Sequence, residues 1–281
     1  MVDYLQRTTS EATVKQVATY THLPETVVNL NVEGFRSLPA DQGQRVDIAM
    51  KMMWWQTTRL FPDVGCVFYA DQSGLYVGYE RLPKSFLRHR NVSGRYTFGA
   101  EFSPAEGVPL PVCSYCPPVS TLRYGMKTYY FVDDEGKFGE AYERHTYDPR
   151  ERHWYKMAEA AKGAMTWASI YNHSSGNSMG TSAQRAIMQG SEVLAVVAGD
   201  FTVNLLSRFL SRITRRFDYE VAFIVNVDTG LMVASSLGRR YVARPVSPDD
   251  DKGLVRYHWN EISDPVVQSP LRALSFRAIH Y

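Results

Sequence analysis

Val64-Gly65-Cys66-Val67-Phe68-Tyr69-Ala70 runs into Asp71-Gln72-Ser73-Gly74 and then into Leu75-Tyr76-Val77-Gly78-Tyr79-Glu80-Arg81. Two β-rich runs joined by an Asp/Ser/Gly turn are the signature of a hairpin. The same unit returns as Thr128 to Val132, Asp133-Asp134-Glu135-Gly136 and Lys137 to Tyr142. It appears a third time as Ala222 to Val227, Asp228-Thr229-Gly230 and Leu231 to Ser235. The recurrence predicts two sheet domains in tandem.

Helices flank these hairpins. Asp3 to Val32 reads as one long helix with apolar points at Leu5, Ala12, Val17, Val27 and Leu30 and a local disturbance at Pro24. Gln44 to Leu60 carries Val46, Ala49, Met50, Met53, Trp54 and Thr57 at helical spacing, with the Trp54-Trp55 pair read as core and interface. Further on, Tyr155 to Lys162 reads as a short helix, and Thr166 to Tyr171 and Thr181 to Met188 as strands. Glu192 to Asp200 reads as a buried strand feeding a linking helix from Phe201 to Arg216. A second sheet unit begins at Tyr219, and Ile262 to Ala273 reads as helix. A complete small α/β sensor unit needs more strands after that helix, so the second module is expected to be truncated or reduced.

Composition narrows the function. The chain has 281 residues, 44% hydrophobic and 21% charged, which is the range of a folded globular protein. Its 31 basic and 29 acidic residues are mixed along the chain, so the net charge of +2 gives no single-sign field for nucleic acid. The most apolar runs, Val193 to Ala198 and Val221 to Val227, fall well short of the roughly 20 residues that span a bilayer. No secretory signal pattern opens the chain, so a domain working outside the cytoplasm would take its targeting segment from elsewhere. Cys113 and Cys116 form a lone Cys-x-x-Cys in a proline-rich loop without a second ligand pair, which reads as a local disulfide or two free thiols rather than zinc. Asn91 and Asn172 open Asn-x-Ser sequons, of consequence only in a eukaryotic secretory pathway. With no His-Glu-x-x-His, no Gly-x-Ser-x-Gly and no Gly-rich phosphate loop, neither catalysis, a metal nor a cofactor is expected.

The chemistry concentrates in Tyr147-Asp148-Pro149-Arg150-Glu151-Arg152-His153-Trp154-Tyr155, followed by Trp167-Ala168-Ser169-Ile170-Tyr171 and by Val196-Val197-Ala198-Gly199-Asp200. A guanidinium grips a carboxylate through two parallel hydrogen bonds, and indole N–H and phenol O–H groups add donors. Asp200, at a strand end, offers acceptors to an ammonium. Together these groups suit a zwitterion. The same residues also suit a surface stack of Tyr, Trp and Arg, with Asp200 as the N-cap of the helix that follows.

The Tyr-Asp-Pro-Arg-x-Arg-x-Trp-Tyr run resembles the signature of double Cache sensor domains, which lie outside the membrane in bacterial chemoreceptors, sensor kinases and cyclases; the resemblance spans roughly Thr13 to Tyr281. It implies an α+β fold: a long N-terminal helix, then two tandem PAS-like Cache modules with antiparallel sheets. The implied division is a stalk helix over 1–32, a membrane-distal ligand-binding module over 33–200, a linking helix over 201–216 and a membrane-proximal module over 217–281. In the amino-acid-binding subset, the positions matched by Arg152, Trp154 and Tyr155 hold the ligand carboxylate. Those matched by Tyr147 and Asp200 hold its amino group, and Tyr171 resembles an accessory pocket tyrosine. The resemblance further implies an extracytoplasmic domain of a membrane-anchored receptor that pairs through its N-terminal helix. The alternatives are a module of the same fold binding a biogenic amine or organic acid, or one that acts through protein contacts alone.

Overall fold

The computed structural model describes residues 14–36, 42–82, 84–92, 95–107, 116–173, 178–215, 221–226, 228–247 and 250–265. The chain is α+β and divides into two units. The first comprises His22–Ser169 and Ser182–Asp200; the second comprises Met1–Thr21, Ile170–Thr181 and Phe201–Tyr281.

In the first unit, helix α2 (Leu23–Arg36) buries Val27, Val28, Asn31, Val32 and Phe35, a stripe at helical spacing. Pro24 sits in its first turn, where no N–H partner is required, and the helical path breaks at His22 instead. The leading helix is therefore interrupted two residues earlier than Pro24 suggested, and it continues past Val32 to Arg36. Helix α3 (Gln42–Trp55) buries Val46, Ala49, Met50 and Met53. Trp54 packs partly against this core, whereas Trp55 is 52% exposed. The last turn widens into a π-helix, Gln56–Leu60, closed by Phe61 N–H donating to Gln56 O at 2.9 Å.

These helices cover one face of a sheet built from β1 (Cys66–Asp71), β2 (Tyr76–Arg81), β3 (Phe98–Ser103), β4 (Met126–Val132), β5 (Phe138–Thr146), β6 (Thr166–Trp167), β8 (Met179–Gln189) and β9 (Glu192–Thr202). The order is β5-β4-β3-β2-β1-β9-β8-β6, with β7 (Tyr171–Asn172) also paired to β8. The pairings β1–β2, β1–β9, β2–β3, β3–β4, β4–β5, β6–β8 and β7–β8 are antiparallel. Alternation sends Val67, Tyr69, Val77, Tyr79, Ala100, Phe102, Tyr130 and Val132 into the core with α2 and α3, where Phe35 stacks on Tyr69 at 4.6 Å. The expected strand from Thr166 to Tyr171 is broken into β6 and β7 around 168–170. Strand β3 and the short helix α4 (Lys84–His89) had no counterpart in the sequence reading.

In the second unit, residues 14–21 form helix α1, and Tyr20 stacks between Phe201, at 4.9 Å, and Phe209, at 3.8 Å. Helix α6 (Val203–Thr214) is capped by Thr202, whose hydroxyl accepts from Leu205 N–H at 3.1 Å. The cap is therefore Thr202, and Phe201 and Thr202 still belong to β9 rather than to the helix. The hairpins β10 (Phe223–Val225)/β11 (Met232–Ser235) and β12 (Ala243–Ser247)/β13 (Asp250–Arg256) pack Met232, Val242, Ala243 and Leu254 with Met179, Val203 and Ile262. Ile262, Ser263 and Asp264 are not helical, because Ile262 is held in this core after a 3-10 turn; the rest of the helix expected to Ala273 lies outside the described residues, apart from Pro265. Among the described residues, no helix is long and apolar enough to cross a membrane.

Candidate functional site

The sheet face turned away from α2 and α3 carries the ionisable groups. Strand register sets Ala198, Phe68, Gly78, Glu101 and Tyr129 side by side across β9, β1, β2, β3 and β4. One step along, Cys66, Glu80 and Gly99 form the neighbouring row. Asp200, two residues beyond Ala198, shares that face by alternation. Gly99 lies against Glu80 so closely that an added Cβ would come within 3.0 Å of its Oε1.

Glu101 is the hub. Its Oε2 accepts from Lys127 Nζ at 2.6 Å and from the Tyr76 hydroxyl at 2.8 Å. Lys127 is 3% exposed and Glu101 8%. Burial works against the Lys127 ammonium, but Glu101 and then Tyr129 outweigh it and hold its pKa above the usual lysine range. Glu80 accepts from the Tyr142 hydroxyl at 3.1 Å. Burial first, and then the Glu101 carboxylate, push its pKa up to about 8. Asp200 is 2% exposed, and burial first, then the charges of Glu101 and Glu80, hold its carboxyl well above the usual range despite the nearby Cys66 backbone N–H. Of these three carboxyl groups, Glu101 is the one that pairs with the Lys127 ammonium among the described residues.

The segment after β5 closes over this face. Asp148 caps the turn by accepting from Arg150 N–H at 2.9 Å, and Pro149 presets its first position. The Arg150 guanidinium then folds back on both oxygens of Asp148, at 2.7 to 3.2 Å, so this arginine is already committed. Arg152 is the N-cap residue of helix α5 (His153–Ala160), and its guanidinium stands 5.8 Å from the Tyr147 ring centroid. Among the described residues, Arg152 has no carboxylate in ion-pairing range. Trp154 presents its ring edge-on to Phe68 at 5.0 Å, and Tyr147 does the same to Tyr76 at 5.2 Å. Burial, followed by the Glu101 carboxylate, raises the Tyr147 pKa.

Tyr147, Arg152, Trp154 and Asp200 thus lie on or against one face of the first unit. Tyr155 follows Trp154 with rings 5.7 Å apart, but it lines a different groove of 470 Å³ with Gln72, Arg150, Lys162 and Glu192. Burial, Glu159 and Asp71 push its pKa up to about 12. Tyr171 belongs to the second unit, where it stacks on His173 at 5.6 Å. Glu80, Glu101, Lys127, Tyr76 and Tyr142 were missed by the sequence reading. Their signal was an ionisable residue alternating with apolar ones, as in Phe98-Gly99-Ala100-Glu101-Phe102. In the Cys-x-x-Cys loop, Cys116 is disulfide-bonded and Cys113 lies outside the described residues; Cys66, on β1, is a buried free thiol.

No protein-family model matches the chain, and no curated protein matches it. The structure does match ligand-binding domains of amino-acid chemoreceptors at low sequence identity. The Pseudomonas aeruginosa amino acid chemoreceptor PctC, in complex with GABA, is 14% identical over 83% of this chain and 73% of that one, with TM-score 0.43. The sensory domain of Campylobacter jejuni Tlp3 is 11% identical over 83% and 69%, with TM-score 0.46. The Pseudomonas fluorescens CtaA domain, in complex with L-alanine, is 15% identical over 93% and 77%, with TM-score 0.42.

Proposed function

We propose that this chain is the extracytoplasmic sensor domain of a membrane-anchored receptor, of the double Cache type, and that it binds a free amino acid. In this reading Arg152, with Trp154 and Tyr155, holds the ligand carboxylate, Tyr147 and Asp200 hold its amino group, and Tyr171 is an accessory tyrosine. The ligand-binding module is residues 33–200; the second, 217–281, lies nearer the membrane, and two copies pair on the N-terminal helix. The observation that supports the reading most is the contrast between the two arginines. Arg150 is consumed by Asp148, whereas Arg152 faces Tyr147 with no carboxylate partner among the described residues. A half-buried guanidinium gains most from a planar anion that accepts two hydrogen bonds at once.

Micromolar affinity corresponds to about 8 kcal/mol, attainable for a ligand of about ten heavy atoms if every polar group is satisfied. Binding would act by shifting the population between two arrangements of the domain, with no covalent step. The test is a thermal-shift screen against the common L-amino acids, GABA and biogenic amines, followed by calorimetry on wild type, Arg152→Ala and Asp200→Ala. Stabilisation by L-amino acids that both variants lose is the expected result. Near-wild-type affinity in a folded Arg152→Ala protein would sink the carboxylate assignment.

A second reading, a biogenic amine as ligand, draws on the carboxyl groups of Glu80 and Asp200, both held above their usual pKa, beside the Glu101 carboxylate that pairs with Lys127. It predicts stabilisation by amines alone, indifferent to Arg152→Ala.

A further inference from the structure

The ammonium of Lys127 stands against three phenol rings at once. Its Nζ lies 5.0 Å from the ring centroid of Tyr76, 4.7 Å from Tyr129 and 4.4 Å from Tyr147. Glu101 Oε2 sits 2.6 Å away and is held from another side by the Tyr76 hydroxyl. Electron-rich ring faces gathered round a carboxylate make a receptor for ammonium ions, which is how aromatic cages recognise cationic ligands. Here the occupant is part of the chain, carried by strand β4. One wall of the cage, Tyr147, is also the residue that the proposed function gives to the ligand's amino group.

We propose that Lys127 is a tethered ammonium seated in the pocket's own cation cage, and that a ligand ammonium must displace it to bind. The proposal rests on reading this face as the ligand pocket. Exchanging one ammonium for another keeps Glu101 paired and the rings occupied, so the exchange costs much less than emptying the cage. The competition lowers apparent affinity, because only the fraction of molecules with the cage open is competent to bind. It also makes Lys127 a specificity-determining residue. A carboxylate without an ammonium cannot take the lysine's place, and an ammonium too bulky to fit among three rings cannot either.

Lys127→Ala empties the cage and leaves Glu101 and the three tyrosines in place. Ethylammonium, a carboxylate-free probe, is expected to bind this variant at least about tenfold more tightly than wild type by calorimetry. Equal binding to the two proteins overturns the proposal. Any L-amino acid that binds wild type should likewise gain at least about tenfold in Lys127→Ala. If ethylammonium fills the variant while no amino acid binds either protein, the amino-acid reading fails and the cage assignment stands. If amino acids bind wild type and variant alike and still require Asp200, the displaced lysine is wrong and the amino-acid reading stands. Lys127→Met, which keeps the apolar stem, replaces Lys127→Ala should the latter fail to fold. Wild type itself supplies a further check by NMR. The caged lysine must give a solvent-protected 15Nζ resonance that ethylammonium removes at saturation, and a resonance that persists refutes displacement.

Discussion

The hydroxyl of Tyr142 donates to Oε1 of Glu80 across 3.1 Å, joining a half-buried phenol to a half-buried carboxyl whose pKa is pushed up to about 8. In the folded protein Glu80 therefore keeps its proton up to about pH 8, whereas in the unfolded chain it releases it near 4.5. Between those values the folded state binds more protons. Its stability is full below the lower value and is lost as pH rises through the higher one. Asp200, raised for the same reason, acts in the same direction. Unfolding by urea at a series of pH values should show stability falling by a few kcal/mol, on the order given by proton linkage, between the two pKa values. Glu80→Gln cannot ionise and should flatten part of that decline; an unchanged slope would show that Glu80 does not titrate there.

Arg81 closes the π-helix. Its Nη2 donates to the carbonyls of Thr57, at 2.6 Å, and Thr58, at 3.1 Å, and burial lowers its pKa. A widened turn leaves carbonyls without their usual partners, and one guanidinium satisfies two of them. Arg81→Ala should cost about 2–4 kcal/mol, the range for charged hydrogen bonds and a lost packing contact. Arg81→Lys should restore only part of this, since an ammonium lacks the planar fork. Hydrogen exchange at Phe61 N–H, which closes the turn, should accelerate in Arg81→Ala; unchanged protection there would refute the clamp.

Two glycines separate strain from crowding. At Gly180 an added Cβ would lie 2.5 Å from the backbone oxygen of Phe201 and 2.6 Å from His173 Nε2. At Gly125, where φ is +70°, nothing lies within 4 Å. Gly125→Ala should therefore cost only about 1 kcal/mol of backbone strain. Gly180→Ala, against backbone that cannot step aside, should cost more than about 2 kcal/mol. Thermal unfolding of the pair should rank them in that order, and the reverse order would contradict the described packing of β8.

The hairpins were legible because their turns are local. Asp71 Oδ1 accepts from Ser73 N–H at 2.9 Å and Leu75 N–H at 3.2 Å, while Asp133 Oδ1 does the same for Glu135 and Lys137 at 2.9 Å each. Each turn ends on a glycine with positive φ, Gly74 or Gly136, so four adjacent residues encode it. The Glu101–Lys127 pair is a different matter. It needs β3 beside both β2 and β4 in one register, with Gly78 facing Glu101 and Glu101 facing Tyr129, and no local pattern fixes such pairing. The placement of Asp200 falls between these cases. Its strand was legible from the apolar run before it, but its burial on the ionisable face rather than at a helix cap depends on pairing with β1.

Ligand binding at this face should release protons. Glu80, with its pKa near 8, is mostly protonated at pH 7, and the Asp200 carboxyl is held well above its usual range. The ligand ammonium replaces that of Lys127, which pairs with Glu101, but in the proposed site it is held by Asp200 itself. It therefore favours the Asp200 carboxylate more than Lys127 does, and by linkage the bound state then holds fewer protons than the free one. Affinity for an ammonium-bearing ligand should therefore rise with pH until the free protein's own pKa, about 8 for Glu80, has been passed. Calorimetry at pH 7 in two buffers of different ionisation enthalpy measures the protons released directly. We expect a value approaching one proton per ligand, reduced in Asp200→Asn together with affinity. A ligand whose binding moves no protons in wild type would place its ammonium away from Asp200 and Glu80, whatever its affinity.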